Sequence, residues 1–510
     1  MKAAELLRNL ASDVPELDVT GLTSDSRTAR PGWLFICHTG LRRDGCAYAA
    51  EALGRGAAAV VAPHPIDGIP QEKTILTPDT RLAESVLWNR FCGEPADGMT
   101  KIAVTGTAGK TSVTFILREI LMTAGRKVGV ISTLGAFSGH EPVPLGENGG
   151  AAVSDIPGAM TTPDPEYFFR AVERMKRGGC DTLIWEASSQ SQLMKRSAAI
   201  CPDAAVFTNL SPEHMDCHGS MENYFAAKAT LMKDAGIAVI NTDDEWMRRL
   251  PELYPQVPVV RCSAESGKVA VSDACAIKTV LRGADGIEYV YFSENAVFRV
   301  RSPLIGRMSV QNTLLAASAA LAIGTDAMVT KEALDGFCGV PGRMNRVKLP
   351  GVIGFSVFID YAHTPSSLAS VLDAMREITK GRLIVLFGCG GDRDRQKRPL
   401  MAEAAGRGAD YVILTSDNAR TEDPDAIITE AAAGLGPAVP HAVIRDRAEA
   451  IRFAVRMAET GDTVLLAGKG HEKYEIRADG RVPFDEEAIV RAAVRDRFGS
   501  RDGGGADNER

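Results

Sequence analysis

The stretch from Lys101 to Thr123 constrains the fold more than any other. Lys101-Ile-Ala-Val104 is a short apolar run of the kind that forms a buried strand. It runs into Thr105-Gly-Thr-Ala-Gly-Lys-Thr111, and apolar residues then recur at helical spacing, with Val113, Ile116, Leu117, Ile120 and Leu121 on one face. A strand that turns through glycines into a helix belongs to a mainly parallel sheet, because the helix carries the chain back over the sheet face. Similar runs follow at Thr182–Trp185, Ala204–Phe207 and Ile237–Ile240. After a break at Gly339-Val-Pro-Gly342 the rhythm restarts with Val357–Asp360, Leu383–Phe387, Tyr411–Leu414 and Thr463–Leu466. The fold class is α/β.

The chain of 510 residues is too long for one core and implies roughly three domains. A polar break at Glu94-Pro-Ala-Asp-Gly98 and the one near Gly342 place them at 1–98, 99–341 and 342–500, with 501–510 a disordered tail. With 45% apolar and 24% charged residues the composition is that of a globular protein. Apolar runs are strand-sized, so no membrane span is expected. The N-terminus reads as a helix start without a signal-peptide apolar core. Ten cysteines without regular spacing read as buried thiols in a cytoplasmic protein. A net charge of −7 and the lack of a basic stripe argue against a nucleic-acid partner. Polar and glycine residues sit just past the strand C-terminal ends in both later domains, where open α/β sheets bind ligands, so a cleft between domains is the expected site.

The loop residues Thr105, Gly106, Thr107, Ala108, Gly109, Lys110 and Thr111 suit a nucleoside triphosphate. Glycines let backbone N–H groups curl around phosphate oxygens at a helix N-terminus. Lys110 reaches the β- and γ-phosphates, and the Thr111 hydroxyl ligates Mg²⁺. Val104 stands where the strict G-x-x-x-x-G-K-T pattern has glycine, and a glycine turn with an incidental lysine is the plainer alternative. The order strand, loop, helix weighs against it. Glu186, ending the Thr182–Trp185 run, and His214 in a later strand-end loop are candidate metal ligands. Taken alone, a strand-end glutamate is more often a solvated or paired carboxylate.

With Asp360-Tyr-Ala-His-Thr-Pro365, Gly388-Cys-Gly-Gly-Asp-Arg-Asp394 followed by Lys397-Arg-Pro399, and Ala467-Gly-Lys-Gly-His-Glu472, the chain resembles the Mur ligase family, and within it the MurE branch. The resemblance runs from Asp25-Ser-Arg27 to Glu472. It implies an N-terminal UDP-binding α/β domain, a central P-loop-type mainly parallel sheet that takes ATP, and a C-terminal Rossmann-like α/β domain for the incoming amino acid. The implied reaction joins a diamino acid to UDP-N-acetylmuramoyl-L-alanyl-D-glutamate in peptidoglycan synthesis, through an acyl phosphate, in a monomer. By position, Ser24 and Ser26 address the UDP portion, and Thr161, Thr162, Ser188 and Arg196 the muramoyl-peptide portion. Asn312, Arg343, Asp360 and His363 line the ATP side. Thr111, Glu186, His214 and a carbamylated Lys228 hold Mg²⁺, with Lys110, Glu186, His214 and Lys228 as the catalytic set. Without the resemblance, a helical lysine such as Lys228 is a surface residue.

The family motif Asp-Asn-Pro-Arg marks addition of meso-diaminopimelate, and here reads Asp417, Asn418, Ala419, Arg420. The arginine is the residue with chemistry to offer, since a guanidinium clamps the second carboxylate that distinguishes diaminopimelate from lysine. Arg393, Gly468 and Glu472 match the remaining positions for that substrate. Departures from the family pattern are Ala108 for asparagine, Gln190 for histidine, Met308 and Ser309 for a Phe-Asn pair, and Met160 and Met194 at polar contact positions. They leave two alternatives: a related ligase with another amino acid or a modified acceptor, and an idle nucleotide-binding homologue.

Overall fold

A computed structural model describes residues 1–12, 14–39, 44–144, 161–265, 267–351 and 353–499. The expected tail at 501–510 and Met160 lie outside the described residues. The chain forms two compact units: Met1–Cys262 with Val271–Asp273 and Leu315–Thr330, and Ser263–Ala270 with Ala274–Leu314 and Lys331–Arg510.

The first unit holds two sheets. Strands β1 (Gly21–Thr23), β2 (Trp33–Ile36), β3 (Ala59–Ala62) and β4 (Thr74–Leu76) pair in parallel in chain order. The second sheet begins with β5 (Thr100–Thr105), β6 (Val128–Ser132), β7 (Thr182–Glu186), β8 (Ala204–Phe207), β9 (Ile237–Asn241) and β10 (Val259–Ser263). These six are parallel in the order β10-β9-β8-β5-β7-β6. In β5 to β9 the near-continuous apolar runs are covered on both faces, as parallel strands require, whereas β10 leaves Arg261 exposed. β5 lies between β7 and β8. The order reverses there, so the loop after β5 opens at the topological switch point.

In the second unit β11 (Ala274–Leu281), β12 (Ile287–Ser293) and β13 (Val297–Ser302) form an antiparallel meander. Val297-Phe-Arg-Val-Arg-Ser302 alternates strictly between exposed and buried, the period-two pattern of a half-buried strand. Further on, β14 (Asn345–Arg346), β15 (Ser356–Asp360), β16 (Leu383–Phe387), β17 (Tyr411–Leu414), β18 (His441–Val443) and β19 (Thr463–Ala467) pair in the order β14-β15-β19-β16-β17-β18. All are parallel except β14. Successive strand residues go to opposite faces: Phe358, Val385, Leu414 and Leu465 pack in one core, Val357, Ile384, Ile413 and Val464 in the other. This is the doubly wound sheet that the resemblance implies. A hairpin, Tyr474–Arg477 with Gly480–Pro483, follows.

The helix Arg447–Met457 sends Arg447 into this unit, where it is fully buried. Its Nε donates to Glu486 Oε1 at 2.8 Å and its Nη2 to the carbonyl of Ala467, at the end of β19, at 2.9 Å. Removing one partner of a buried pair leaves an uncompensated charge, so Arg447→Ala should cost about 3–5 kcal/mol. Urea unfolding followed by circular dichroism measures this, and the double variant Arg447→Met/Glu486→Gln should recover part of the loss.

Candidate active site

The loop after β5 is shaped by what lies under it. Gly106 has φ +140°, and a Cβ there would come within 1.9 Å of Thr208 Oγ1, so only glycine fits. Beneath, Asn209 accepts from Thr107 N–H on its carbonyl at 2.8 Å and from Ala108 N–H on Oδ1 at 2.9 Å. The helix Lys110–Thr123 starts from Gly109 in a left-handed conformation without a side-chain cap. The N-terminus of this helix, with its partial positive charge, therefore opens directly onto the loop.

Two lysines converge on one carbonyl. Lys110 Nζ donates to the Gly106 carbonyl at 2.9 Å and to that of Thr107 at 2.8 Å. Lys228, from the helix Met221–Ala229, donates to the same Gly106 carbonyl at 2.7 Å. Only 2% of Lys228 is exposed, where a helical lysine is ordinarily on the surface. Its Nζ sits 4.6 Å from the ring centroid of Tyr224, whose hydroxyl lies 3.1 Å from Thr107 Oγ1. Burial, with the neighbouring Lys110 charge, pulls the Lys228 amine well below the ordinary lysine range.

Glu186 ends β7 fully buried. Oε1 accepts from Thr133 N–H at 3.0 Å and Oε2 from the Thr133 hydroxyl at 3.1 Å. A chain of bonds joins it to other residues expected here. The Thr133 hydroxyl oxygen also lies 3.1 Å from Thr161 Oγ1, Thr162 Oγ1 donates to the Glu186 carbonyl at 2.7 Å, and Ser188 N–H donates to Thr162 Oγ1 at 3.2 Å. Arg196 donates to the Thr162 carbonyl at 2.7 Å. His214 opens a short helical turn in a left-handed conformation, exposed, with its ring 6.1 Å from that of Tyr224. Ser26 is buried and donates to Glu51 at 2.8 Å, while Ser24 is exposed. Met194, at a position expected to be polar, takes Arg81 on its sulfur.

The donors suit Mg²⁺, which prefers hard oxygen: the buried Thr111 in the helix first turn and the Glu186 carboxylate supply it. The His214 nitrogen is a softer donor, less suited to direct ligation.

In the second unit Asp360 ends β15 buried, accepting from Met344 N–H and Ala362 N–H at 2.7 Å each. Burial pushes its carboxyl up, opposed by the Arg343 guanidinium. Arg343 lies over the Tyr361 ring at 4.8 Å, and His363 donates Nδ1–H to the Tyr361 carbonyl at 2.9 Å. Asn312, in the helix Arg307–Ala322, is buried with its Oδ1 unbonded.

Around Asp417–Arg420 the polar groups interlock. Buried Lys469 pairs with Asp417 at 3.3 Å and donates to Asn418 Oδ1 at 3.1 Å, and Asn418 Nδ2 donates to Glu472 Oε2 at 2.7 Å. Gly468 passes so close to Asp417 that a Cβ would lie 2.8 Å from its Oδ2. Arg420 Nη1 donates to the Gly391 carbonyl at 2.7 Å, and buried Ala419 precedes it. Burial and the charge of exposed Arg393 lower the Arg420 guanidinium, with Asp417 and Glu472 pulling the other way. Such a site gains from an added carboxylate.

Sequence reasoning passed over Thr133, Asn209, Tyr224 and Lys469. Each acts through a partner far away in the chain.

The fold and the loop define a phosphate-loop α/β protein. Residues 18–80 match the Mur ligase family catalytic domain, 104–320 the Mur ligase middle domain, and 342–470 the Mur ligase glutamate ligase domain. The chain belongs to the Mur ligase family. It is 37% identical to the UDP-N-acetylmuramoyl-L-alanyl-D-glutamate--2,6-diaminopimelate ligase of Syntrophomonas wolfei, over 97% of this chain and 99% of that one. The ligase of the same name from Agrobacterium fabrum is 38% identical, over 98% and 97%. A solved structure of a ligase of that name aligns with TM-score 0.68 at 31% identity, covering 98% of this chain and 100% of the other. The MurF ligase of Thermotoga maritima, solved in complex with ADP, shares the fold at TM-score 0.55 and 18% identity, covering 94% and 96%. Among the described residues no helix is long and apolar enough to cross a membrane.

Proposed function

We propose that this protein is an ATP-dependent ligase that joins meso-diaminopimelate to UDP-N-acetylmuramoyl-L-alanyl-D-glutamate in peptidoglycan synthesis. The observation that carries the reading is the meeting of Lys110 and buried Lys228 on the Gly106 carbonyl, in a loop at the N-terminus of a helix. The names of the relatives at 37–38% identity support the substrates.

The terminal carboxylate of the dipeptide attacks the γ-phosphorus of ATP, the bond to the β,γ-bridging oxygen breaks, and ADP leaves. Lys110 releases the loop carbonyls and takes phosphate oxygens, while the first amides of the helix Lys110–Thr123 hold the same charge. Thr111 and Glu186 would hold Mg²⁺, assisted by His214, and when bound the ion offsets charge on the phosphoryl oxygens. The Lys228 side chain, in its unprotonated form, adds through nitrogen to CO₂ and loses a proton, giving a carbamate anion with oxygen donors. Arg420 and Arg393 clamp the distal carboxylate of diaminopimelate, with Asn418, Glu472 and Asp417 at its ammonium. The free amine then attacks the acyl carbon, the tetrahedral intermediate expels phosphate, and the amide remains. Asn312, Arg343, Asp360 and His363 serve the nucleotide, Ser26 the UDP portion, and Thr161, Thr162, Ser188 and Arg196 the muramoyl peptide.

With ATP, Mg²⁺ and the UDP-muramoyl dipeptide but no amine, positional isotope exchange in ATP or borohydride trapping should report the acyl phosphate. Turnover without either signal would overturn this step. Thr133→Val removes the hydroxyl on Glu186 Oε2. The Mg²⁺ concentration for half-maximal rate should then rise about 10-fold or more, since residues that orient ligands carry that much affinity.

A further inference from the structure

The parallel sheet β1–β4 gathers a second set of reactive side chains that the reaction does not use. Cys37 follows β2, and its N–H donates at 2.9 Å to the carbonyl of Val61, in β3. The chain returns alongside at residues 44–46, where Gly45 N–H donates to the His38 carbonyl at 2.8 Å. A Cβ on Gly45 would lie 2.8 Å from both His38 N and His38 O, so this approach needs glycine. Asp44 caps the turn Gly45–Tyr48, accepting from Cys46 N–H at 3.0 Å. His64 stands two residues past β3. One ligand atom from each of Asp44, Cys46 and His64 lies within 4.8 Å of the others.

We infer that Asp44, Cys46 and His64 form a binding site for a divalent transition metal of the zinc class, with three protein donors and an open fourth position. The donor chemistry selects the metal. One thiol, one imidazole and one carboxylate suit zinc and its neighbours, while Mg²⁺ and Ca²⁺ take oxygen. His64 donates Nδ1–H to the Pro65 carbonyl at 3.0 Å, which leaves Nε2 with the lone pair. Metal-bound histidines usually have their other ring nitrogen tied down in this way. Thiolate and carboxylate together balance the charge of the cation. Asp44 and His64 are exposed while Cys46 is buried, so the site has an open approach and a shielded sulfur. Bound metal would pin the turn Gly45–Tyr48 to the end of β3.

Cobalt titration of chelator-treated, reduced full-length protein tests this. Co²⁺ should bind with one equivalent giving thiolate-to-cobalt charge-transfer absorption, Zn²⁺ should displace it, and excess Mg²⁺ should not. A thiolate band separates this site from any oxygen-ligated one. His64→Gln changes an exposed residue and should fold as wild type by circular dichroism, yet weaken Co²⁺ binding at least about tenfold. Cys46→Ser should abolish the band. No saturable band, or a band unchanged in folded His64→Gln, would overturn the proposal, the metal then resting on other cysteines.

Discussion

Lys228→Ala should lower kcat by about 10²–10³-fold or more, the scale of losing one preorganised electrostatic partner of a phosphoryl or acyl transition state. The same variant should fold normally, with its unfolding midpoint unchanged or raised, because a desolvated amine gives way to an apolar group. Loss of turnover without loss of stability separates a chemical role from a packing role. Lys228 is otherwise well placed to be structural, sealed behind Tyr224 and bonded to Gly106. Formate added to the alanine variant should restore part of the rate by supplying an anion in the vacated space. The depressed amine adds a pH signature. A lysine with a lowered folded pKa is already neutral above that pKa. Bicarbonate-dependent recovery of CO₂-depleted enzyme should therefore level off at a lower pH than for an ordinary lysine, whose neutral fraction gains about tenfold per pH unit up to about pH 10. A rise that continues into the ordinary lysine range would mean that the amine is not depressed.

Arg420→Ala should cost about 10²–10³-fold in kcat/KM for meso-diaminopimelate, because the site is left with an unclamped carboxylate. The rate with L-lysine, which lacks that carboxylate, should change only a few-fold. Arg420→Lys keeps the charge but not the planar fork, and should recover only part of the loss. Alanine is the better test than glycine: Arg420 has φ +53°, and glycine would also relax the backbone. A KM for diaminopimelate unmoved by Arg420→Ala would remove Arg420 from the amine site.

Much of the parallel framework was legible in the sequence, because strands buried on both faces are written as continuous apolar runs. Leu383–Phe387 and Thr463–Ala467 sit where those runs stand, and the glycine loop introduces the helix Lys110–Thr123 as expected. The meander Ala274–Ser302 was missed, although Val297–Ser302 alternates plainly; its neighbours β11 and β12 mix polar and apolar residues too irregularly to read. The support of the site was the least legible part. Thr133 reaches Glu186 across 53 residues and Asn209 reaches Ala108 across 101, and neither pairing has a local signature. Arg398 stands in the Lys397-Arg-Pro399 motif without a role read from the sequence, and it is fully buried between Glu422 and Glu430. Lys228 by itself reads as a surface residue, and only the family resemblance marked it before the structure showed it buried. Asp44, Cys46 and His64 come together only once β2 and β3 are paired.

The central claim is the identity of the amine, and a donor panel tests it most directly. Phosphate release would be followed with ATP, Mg²⁺ and UDP-N-acetylmuramoyl-L-alanyl-D-glutamate, adding meso-diaminopimelate, L-lysine and other amino acids in turn. Release with meso-diaminopimelate alone, matched by a product heavier by one diaminopimelate less one water, is the predicted result. Comparable release with L-lysine, or release with no donor at all, would contradict it.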